Sequence, residues 1–299
     1  MSVILRKVEH SDLERIQSLF KAVYGKAADK GFQLAFTTHN DLLGYCLEES
    51  KKGDLVGYFG CFTNQRVYAD RPIKYYNTHS WIVKEQYRNQ SLKLLMPYLK
   101  LKDGIITNFS ANGKVAQVLE KLKFDKQEIK NYLLTTRINW LGVFKQSGIK
   151  ELPIQELILK DHQAFVGLCL SLHFTGSDKP LNMILKPIDR KPQWVQTVNS
   201  IFKLIIRKPL ITRSYRIWKI HYLSDAVLFK NRLSLLKSYF LLKHKIGGLV
   251  VHDDIADKMD DLPLEYSHSD TIFLKLNQIE LKKVDYLYSE VFYLNIADK

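Results

Sequence analysis

The chain has 299 residues, 46% hydrophobic and 25% charged, with a formal net charge of +14. That length suits two α/β domains better than one, and the mixture can bury a sizeable core, which excludes a disordered or low-complexity chain. Three cysteines, Cys46, Cys61 and Cys169, are odd in number and lack ligand-like spacing, so they read as reduced, mostly buried thiols rather than a disulfide framework. Met1 to Val8 is too short and too soon charged for an apolar leader. The longest apolar stretch, around Ala164 to Leu172, falls well short of the roughly 20 residues a bilayer needs, and a cytoplasmic location is expected.

In chain order, Ser2 to Val8 reads as a short strand. His10-Ser11-Asp12 then offers caps for a helix over Leu13–Tyr24, with Leu13, Ile16, Leu19, Phe20 and Val23 on one face. A second helix is expected around His39 to Glu49. Leu55 to Thr63 is aromatic and β-branched, hence a strand, with a turn at Asn64-Gln65 and a returning strand from Val67-Tyr68. Lys74 to Lys84 is the next strand, followed by a helix from Gln90-Ser91 to about Leu99. Gly104 to Phe109 is a strand, Ser110-Ala111-Asn112 caps a helix over Gly113–Leu122, and Phe124 to Thr136 is a last strand. The order β-α-α-β-β-β-α-β-α-β fits one mixed α/β domain.

A boundary is placed near residues 137 to 152, giving domains of 1–140 and 150–299. In the second, Glu156 to Leu172 and Trp194 to Ile206 read as helices, Ser238 to Lys243 with Leu249 to His252 as a β-hairpin, and Thr271 to Leu276 as a strand. Leu281 to Leu294 fits either helix or strand. Lys179 to Lys219 holds ten basic residues against one acid, Asp189. A nucleic acid, an anionic membrane surface and an anionic small substrate are the competing partners for such charge, beside a merely solvated face. No helix-turn-helix, zinc-ligand or RNP-like signature supports nucleic acid, so none is expected, whereas peripheral contact with an anionic membrane stays open.

Two segments carry a family resemblance. Trp81 to Leu95 (WIVKEQYRNQSLKLL) is a strand, then a turn with Arg88, then a leucine-rich helix; Asn112 to Phe124 places Asn112, Lys121, Leu122 and Phe124 at matching intervals. Together they resemble the GNAT acyltransferases, over roughly residues 3 to 136. The resemblance implies a mixed central sheet of GNAT type and acetyl-CoA or another acyl-CoA as co-substrate. It implies a cofactor site built from Trp81, Ile82, Val83, Arg88, Asn89, Gln90, Ser91, Leu92, Lys93 and Asn112. There the backbone N–H groups of Asn89 to Lys93 would face the pyrophosphate at a helix N-terminus. The sequence departs from the pattern at Ser91 and Lys93, where small residues are usual, at Leu119, where a tyrosine acid often stands, and at Lys123, which replaces a glycine.

Amide formation from a thioester calls for a free amine, an oriented carbonyl and a base. His79 is the leading candidate base because its reference pKa lies in the useful range, with a satisfied core histidine as the bland reading. Glu85 is a second candidate base that equally suits helix capping. Tyr132 and Tyr98 are candidate proton donors. Asn108 and Ser110 would face the meeting point of pantetheine and acceptor, or merely cap the following helix, and Arg213 and Arg216 would bind the acceptor. No metal-ligand spacing, phosphate-binding GxxxxGK[ST] loop or GxSxG elbow is present, so no metal is expected.

The stretch Ser238 to Asp253, preceded by Tyr215 to Trp218, resembles the second lobe of tandem-GNAT proteins such as the FemABX-like and polysaccharide-cluster acyltransferases. It reads as a second α/β lobe, a degenerate GNAT-like half on the acceptor side, with an unrelated α/β cap as the alternative. The expected function is N-acyl transfer to a small-molecule amine, an amino sugar linked to a nucleotide in surface polysaccharide synthesis. The alternative is a non-catalytic GNAT-derived binding module for a nucleotide, peptide or anionic membrane. The oligomeric state is not legible.

Overall fold

A computed structural model describes residues 2–28, 32–33, 36, 41–68, 71–135, 148–163, 165, 167–188, 216–259 and 264–276. In chain order the first elements are β1 (Val3–Lys7), α1 (Leu13–Tyr24), β2 (Gly44–Glu49), β3 (Leu55–Tyr68) and β4 (Arg71–Val83). They are followed by α2 (Leu92–Leu99), β5 (Gly104–Asn108), α3 (Gly113–Lys121) and β6 (Asp125–Thr135). Then come β7 (Ile149–Glu151), α4 (Leu157–Gln163), β8 (Leu168–Phe174), β9 (Leu181–Ile188) and β10 (Arg216–Leu223). The chain continues with α5 (Ala226–Asn231), α6 (Leu233–Tyr239), β11 (Ile246–His252), α7 (Asp253–Ala256) and β12 (Glu265–Lys275). Two compact units result: one runs to Glu128 and takes up the chain again from Thr271, the other spans Ile129–Asp270.

In the first unit the strands lie in the order β1-β2-β3-β4-β5-β12. All neighbours are antiparallel except β4 and β5, which run parallel from Lys74↔Gly104 to Asn77↔Thr107. Leu47, Phe59, Leu94, Leu95, Tyr98 and Leu119 form the core under α2 and α3. Ile16, Leu19, Phe32, Phe36, Tyr58 and Ile82 form another that includes the apolar stripe of α1. α1 is pinned at its start by buried Asp12, which accepts from Arg6 at 2.7 Å and Arg15 at 2.9 Å. Arg6 holds the Asp12 carboxyl below its ordinary range.

In the second unit the order is β7-β8-β9-β10-β11-β6, again antiparallel except for β10 and β11. Its core is built on Leu170, Leu172, Met183, Leu185, Ile220, Leu236, Phe240 and Leu249.

Four expectations are corrected. Residues 44–49 are strand β2, not the end of a helix. Tyr45 and Leu47 enter one core while Cys46 enters the other, so a strand covered on both faces loses the period-2 signal. Asn64-Gln65 is no turn: Asn64 pairs with Tyr75 and Gln65 with Lys74 inside a continuous ladder. Glu156 to Leu172 divides into α4 and the first part of β8, whose residues pair on both edges with β7 and β9. The expected hairpin at 238–252 is absent. Leu233, Leu236, Tyr239 and Phe240 are buried at helical spacing in α6 and the wide turn Phe240–His244, and β11 pairs instead with β10 and β6. Trp194–Ile206, Arg213 and Leu281–Leu294 lie outside the described residues.

Candidate functional site

The parallel pairing of β4 and β5 stops at Asn77↔Thr107, although β4 continues to Val83. Polar side chains bridge the point where the strands part. Thr78 Oγ1 donates to the Thr107 carbonyl at 2.8 Å, Thr107 Oγ1 donates to Asn77 Oδ1, and Asn108 Nδ2 donates to the Thr78 carbonyl at 3.1 Å. These residues are buried, and each bond offsets the desolvation of its partners.

Just beyond, the β3–β4 register slips: Tyr58 pairs with Ile82 but Gly60 pairs with His79, so β4 carries a bulge at Ser80 and Trp81. Ser80 sits at φ 52°, a left-handed conformation that costs a serine about 1–2 kcal/mol. The opposing position is glycine because a Cβ on Gly60 would overlap the His79 ring and the Tyr58 hydroxyl.

Beside the end of β4, beyond the point where β5 leaves it, lies a cleft of about 340 Å³. Its walls are Trp81, Ile82 and Val83 from β4, Arg88 and Ser91 from the turn before α2, Asn112, Lys114, Val115 and Val118 of α3 and its cap, and Val23 and Tyr24 from α1. Trp81 is stacked on Phe59, with ring centroids 4.9 Å apart. Asn112 caps α3 by accepting from the Val115 amide at 3.2 Å, whereas Ser91, at the N-cap of α2, makes no side-chain cap bond. An arm of apolar side chains, two cations and a helix start without a side-chain cap together suit a ligand with an apolar stem and an anionic head.

His79 lies behind this edge, 1% exposed, its ring stacked on Phe62 at 4.0 Å and set edge-on to Phe32 and Tyr58. Burial lowers its pKa to about 3, so the imidazole is neutral at physiological pH. Nδ1 is hydrogen-bonded to Ser80 Oγ at 3.0 Å, and buried Nε2 has no hydrogen-bond partner among the described residues.

Neither a protein-family model nor a curated protein matches the sequence. Solved structures do match. A GCN5-related N-acetyltransferase from Anabaena variabilis superposes with a TM-score of 0.58 at 9% identity, over 93% of this chain and 74% of that one. A GCN5-related N-acetyltransferase from Kribbella flavida gives 0.55 at 8% identity, over 92% and 71%. The glucosamine N-acetyltransferase region of a fungal multi-domain β-N-acetylglucosaminidase gives 0.51 at 10% identity, over 92% of this chain and 38% of that one. The fold is that of the GCN5-related N-acetyltransferases. At these identities the GNAT likeness is one of architecture, and the chemistry rests on this chain's own residues.

Of the residues singled out from the sequence, Trp81, Ile82, Val83, Arg88, Ser91 and Asn112 line this cleft together. Asn89, Gln90, Leu92 and Lys93 stand near it in sequence but are not among its walls. The turn before α2 uses some of its own amides, Ser91 N–H donating to the Arg88 carbonyl and Leu94 N–H to the Ser91 carbonyl, both at 3.1 Å. Glu85 is exposed and pairs only loosely with Arg88 at 3.6 Å. Tyr98 is fully buried, its hydroxyl donating to the Phe59 carbonyl at 2.8 Å, and burial raises its pKa. Leu119 is core, 1% exposed. Ser110 is exposed past the end of β5. Tyr132, half-buried against Tyr266, and exposed Arg216 belong to the second unit.

Sequence reading missed Val23, Tyr24, Lys114, Val115 and Val118. Val23 was legible as a member of α1's apolar stripe; its use as a wall required knowing where that helix ends in space.

Proposed function

We propose that this protein is an N-acyltransferase that moves an acyl group from acyl-CoA to an amine. The observation that carries the reading is the edge of β4 that β5 leaves after Asn77, which borders a cleft with the Arg88 and Lys114 cations in its walls. Free N–H and C=O groups of a strand edge suit the two amides of a pantetheine arm, as an added strand would pair. Arg88 and Lys114 suit its phosphates. Acyl-CoA supplies the activated carbonyl, and the protein aligns it with the incoming amine while excluding water.

The acceptor in this reading is an amino sugar, nucleotide-linked, used in surface polysaccharide synthesis in the cytoplasm. The ten cations from Lys179 to Lys219 would match its diphosphate, with Arg213 and Arg216 as contacts and the 150–299 half as the acceptor side. The fungal region of like fold acts on glucosamine, an amine of the same class.

A non-catalytic GNAT-derived binding module is the second reading, favoured by the neutrality of buried His79 and by the exposure of Glu85, which is not among the cleft's walls. Calorimetric titration with acetyl-CoA and with CoA tests both readings together with an assay of thiol release. Micromolar binding with amine-dependent release is expected. Binding without release under a broad amine screen supports the module, and no binding of either ligand rejects the acyl-CoA site.

A further inference from the structure

Single exposed apolar side chains are normal on a folded protein, whereas a group of them marks a surface that meets something. Among the described residues nine large hydrophobics are exposed, and four of them stand at or beside the cleft. Val23 and Tyr24, at the end of α1, are 36% and 55% exposed and belong to its walls. Ser91 is a wall too, and Leu92, 53% exposed, follows it in the chain. Met96, 49% exposed, comes one turn later on the same face of α2.

The segments that supply these residues and the α3 wall carry cations and no carboxylate. Residues 21–28 hold Lys21 and Lys26, residues 86–100 hold Arg88, Lys93 and Lys100, and residues 112–118 hold Lys114. All six cations are exposed. Glu85, just before the second segment, meets Arg88 only at 3.6 Å between exposed side chains, a pair too loose to cancel the charge.

We propose that this face of the first unit docks on an anionic membrane surface, with the cleft opening at the interface. It offers both signals that a peripheral contact combines: apolar side chains to enter the headgroup layer and lysines to face acidic lipid. Leucine, valine and methionine find little to contact on nucleic acid, which is held by cations and stacked rings. A protein partner fits less well, because five of the six cations are lysines. Lysine is depleted in protein–protein interfaces, whereas at a bilayer its stem lies along the apolar layer and its ammonium reaches the headgroups. A cleft opening there meets amphiphiles, whose apolar chain and anionic head suit its walls. The proposal goes beyond acyl transfer and does not rest on it.

The test sediments the full chain with vesicles of phosphatidylcholine, with and without phosphatidylserine, and measures oligonucleotide binding alongside. Wild type is expected to sediment with the phosphatidylserine vesicles at low salt and to be released as salt rises. Leu92→Ser combined with Met96→Ser, neither of them a cleft wall, is expected to lower the partition coefficient about 10-fold at an unchanged melting temperature. Lys93→Gln, which removes one exposed charge and no packing, is expected to lower it about 5-fold. No sedimentation at low salt, equal sedimentation with pure phosphatidylcholine, or oligonucleotide binding in place of vesicle binding overturns the proposal. So do variants that all stay within about twofold of wild type, an outcome that moves the contact to another surface such as the basic stretch 179–219. The acyltransferase reading is decided separately, by acetyl-CoA binding and thiol release.

Discussion

The two units share one strand plan and differ in what they placed on it. In each, four antiparallel strands are followed by a parallel pair, β4 with β5 in the first unit and β10 with β11 in the second, and then by one antiparallel strand. In both, the parallel pairing ends part-way along the leading strand, after Asn77↔Thr107 and after Lys219↔Val250. Two residues beyond that point each has a buried histidine, His79 and His221, whose pKa burial lowers. The contents then diverge. Neutral Asn77, Thr78, Thr107 and Asn108 bridge the first parting, whereas Lys219, paired with Asp270 at 2.8 Å, and His252 stand at the second. At the next helix the contrast is electrostatic. Ser91 brings no charge and no side-chain cap to α2, while Asp225 accepts from the Leu228 amide of α5 at 2.8 Å. A carboxylate seated on a helix start both uses its amides and repels a phosphate. A shared plan does not imply a shared site: at the matching helix start the second unit seats the Asp225 carboxylate, and the first seats uncharged Ser91 without a side-chain cap bond.

The largest effect expected from breaking this contrast is in the second unit. Asp270→Asn removes the carboxylate beside fully buried Lys219 and is expected to lower stability by about 3–5 kcal/mol. Urea unfolding measures it, and a loss under 1 kcal/mol would show the pair to be dispensable. Next, Ser91→Trp fills the first unit's cleft and is expected to weaken acetyl-CoA binding at least 100-fold by calorimetry, about 2.7 kcal/mol. Asp225→Trp at the matching place should leave that affinity unchanged, and equal losses in both would abolish the distinction between units.

A smaller effect concerns acid. His79 has a folded pKa of about 3 against an ordinary 6.5, so below pH 6.5 the unfolded chain binds a proton that the native state refuses. Stability therefore falls with falling pH, by about 1.4 kcal/mol per pH unit for such a group, until pH nears its folded value. His221, lowered in the same direction, adds to the slope from the second unit. His79→Gln should flatten stability between pH 6.5 and 4 relative to wild type; an unaltered slope would mean the histidine is not buried neutral. The smallest effect is expected for Glu85→Ala, because its pair with Arg88 is 3.6 Å long between side chains 69% and 87% exposed. A shift in melting temperature beyond error there would reveal a role the geometry does not show.

Legibility from sequence tracked how one-sided each element's burial is. α1 was read with its observed ends because its apolar stripe alternates with charge and Gly25, at φ 73°, stops it. The strand–turn–helix from Trp81 and the Asn112-capped helix were read because turn and cap chemistry is local. β2 was missed because both its faces are buried, which leaves no period to read. The hairpin expected at 238–252 failed for the converse reason: Tyr239 to Leu242 is aromatic and aliphatic without a break, and only packing settled that it turns helically.

The candidate site divides along the same line. The amino-acid sequence by itself determined the turn after β4 and the cap of α3, because hydrogen bonds within a few residues dictate them. Only the tertiary structure decided that β12, from the far end of the chain, pairs with β5, that β4 parts from β5 at Asn77, and that His79 is buried rather than presented to solvent. Those outcomes depend on strand partners and covering rings distant in sequence, Phe32 and Phe62 among them, and no local pattern encodes the dielectric that distant rings impose.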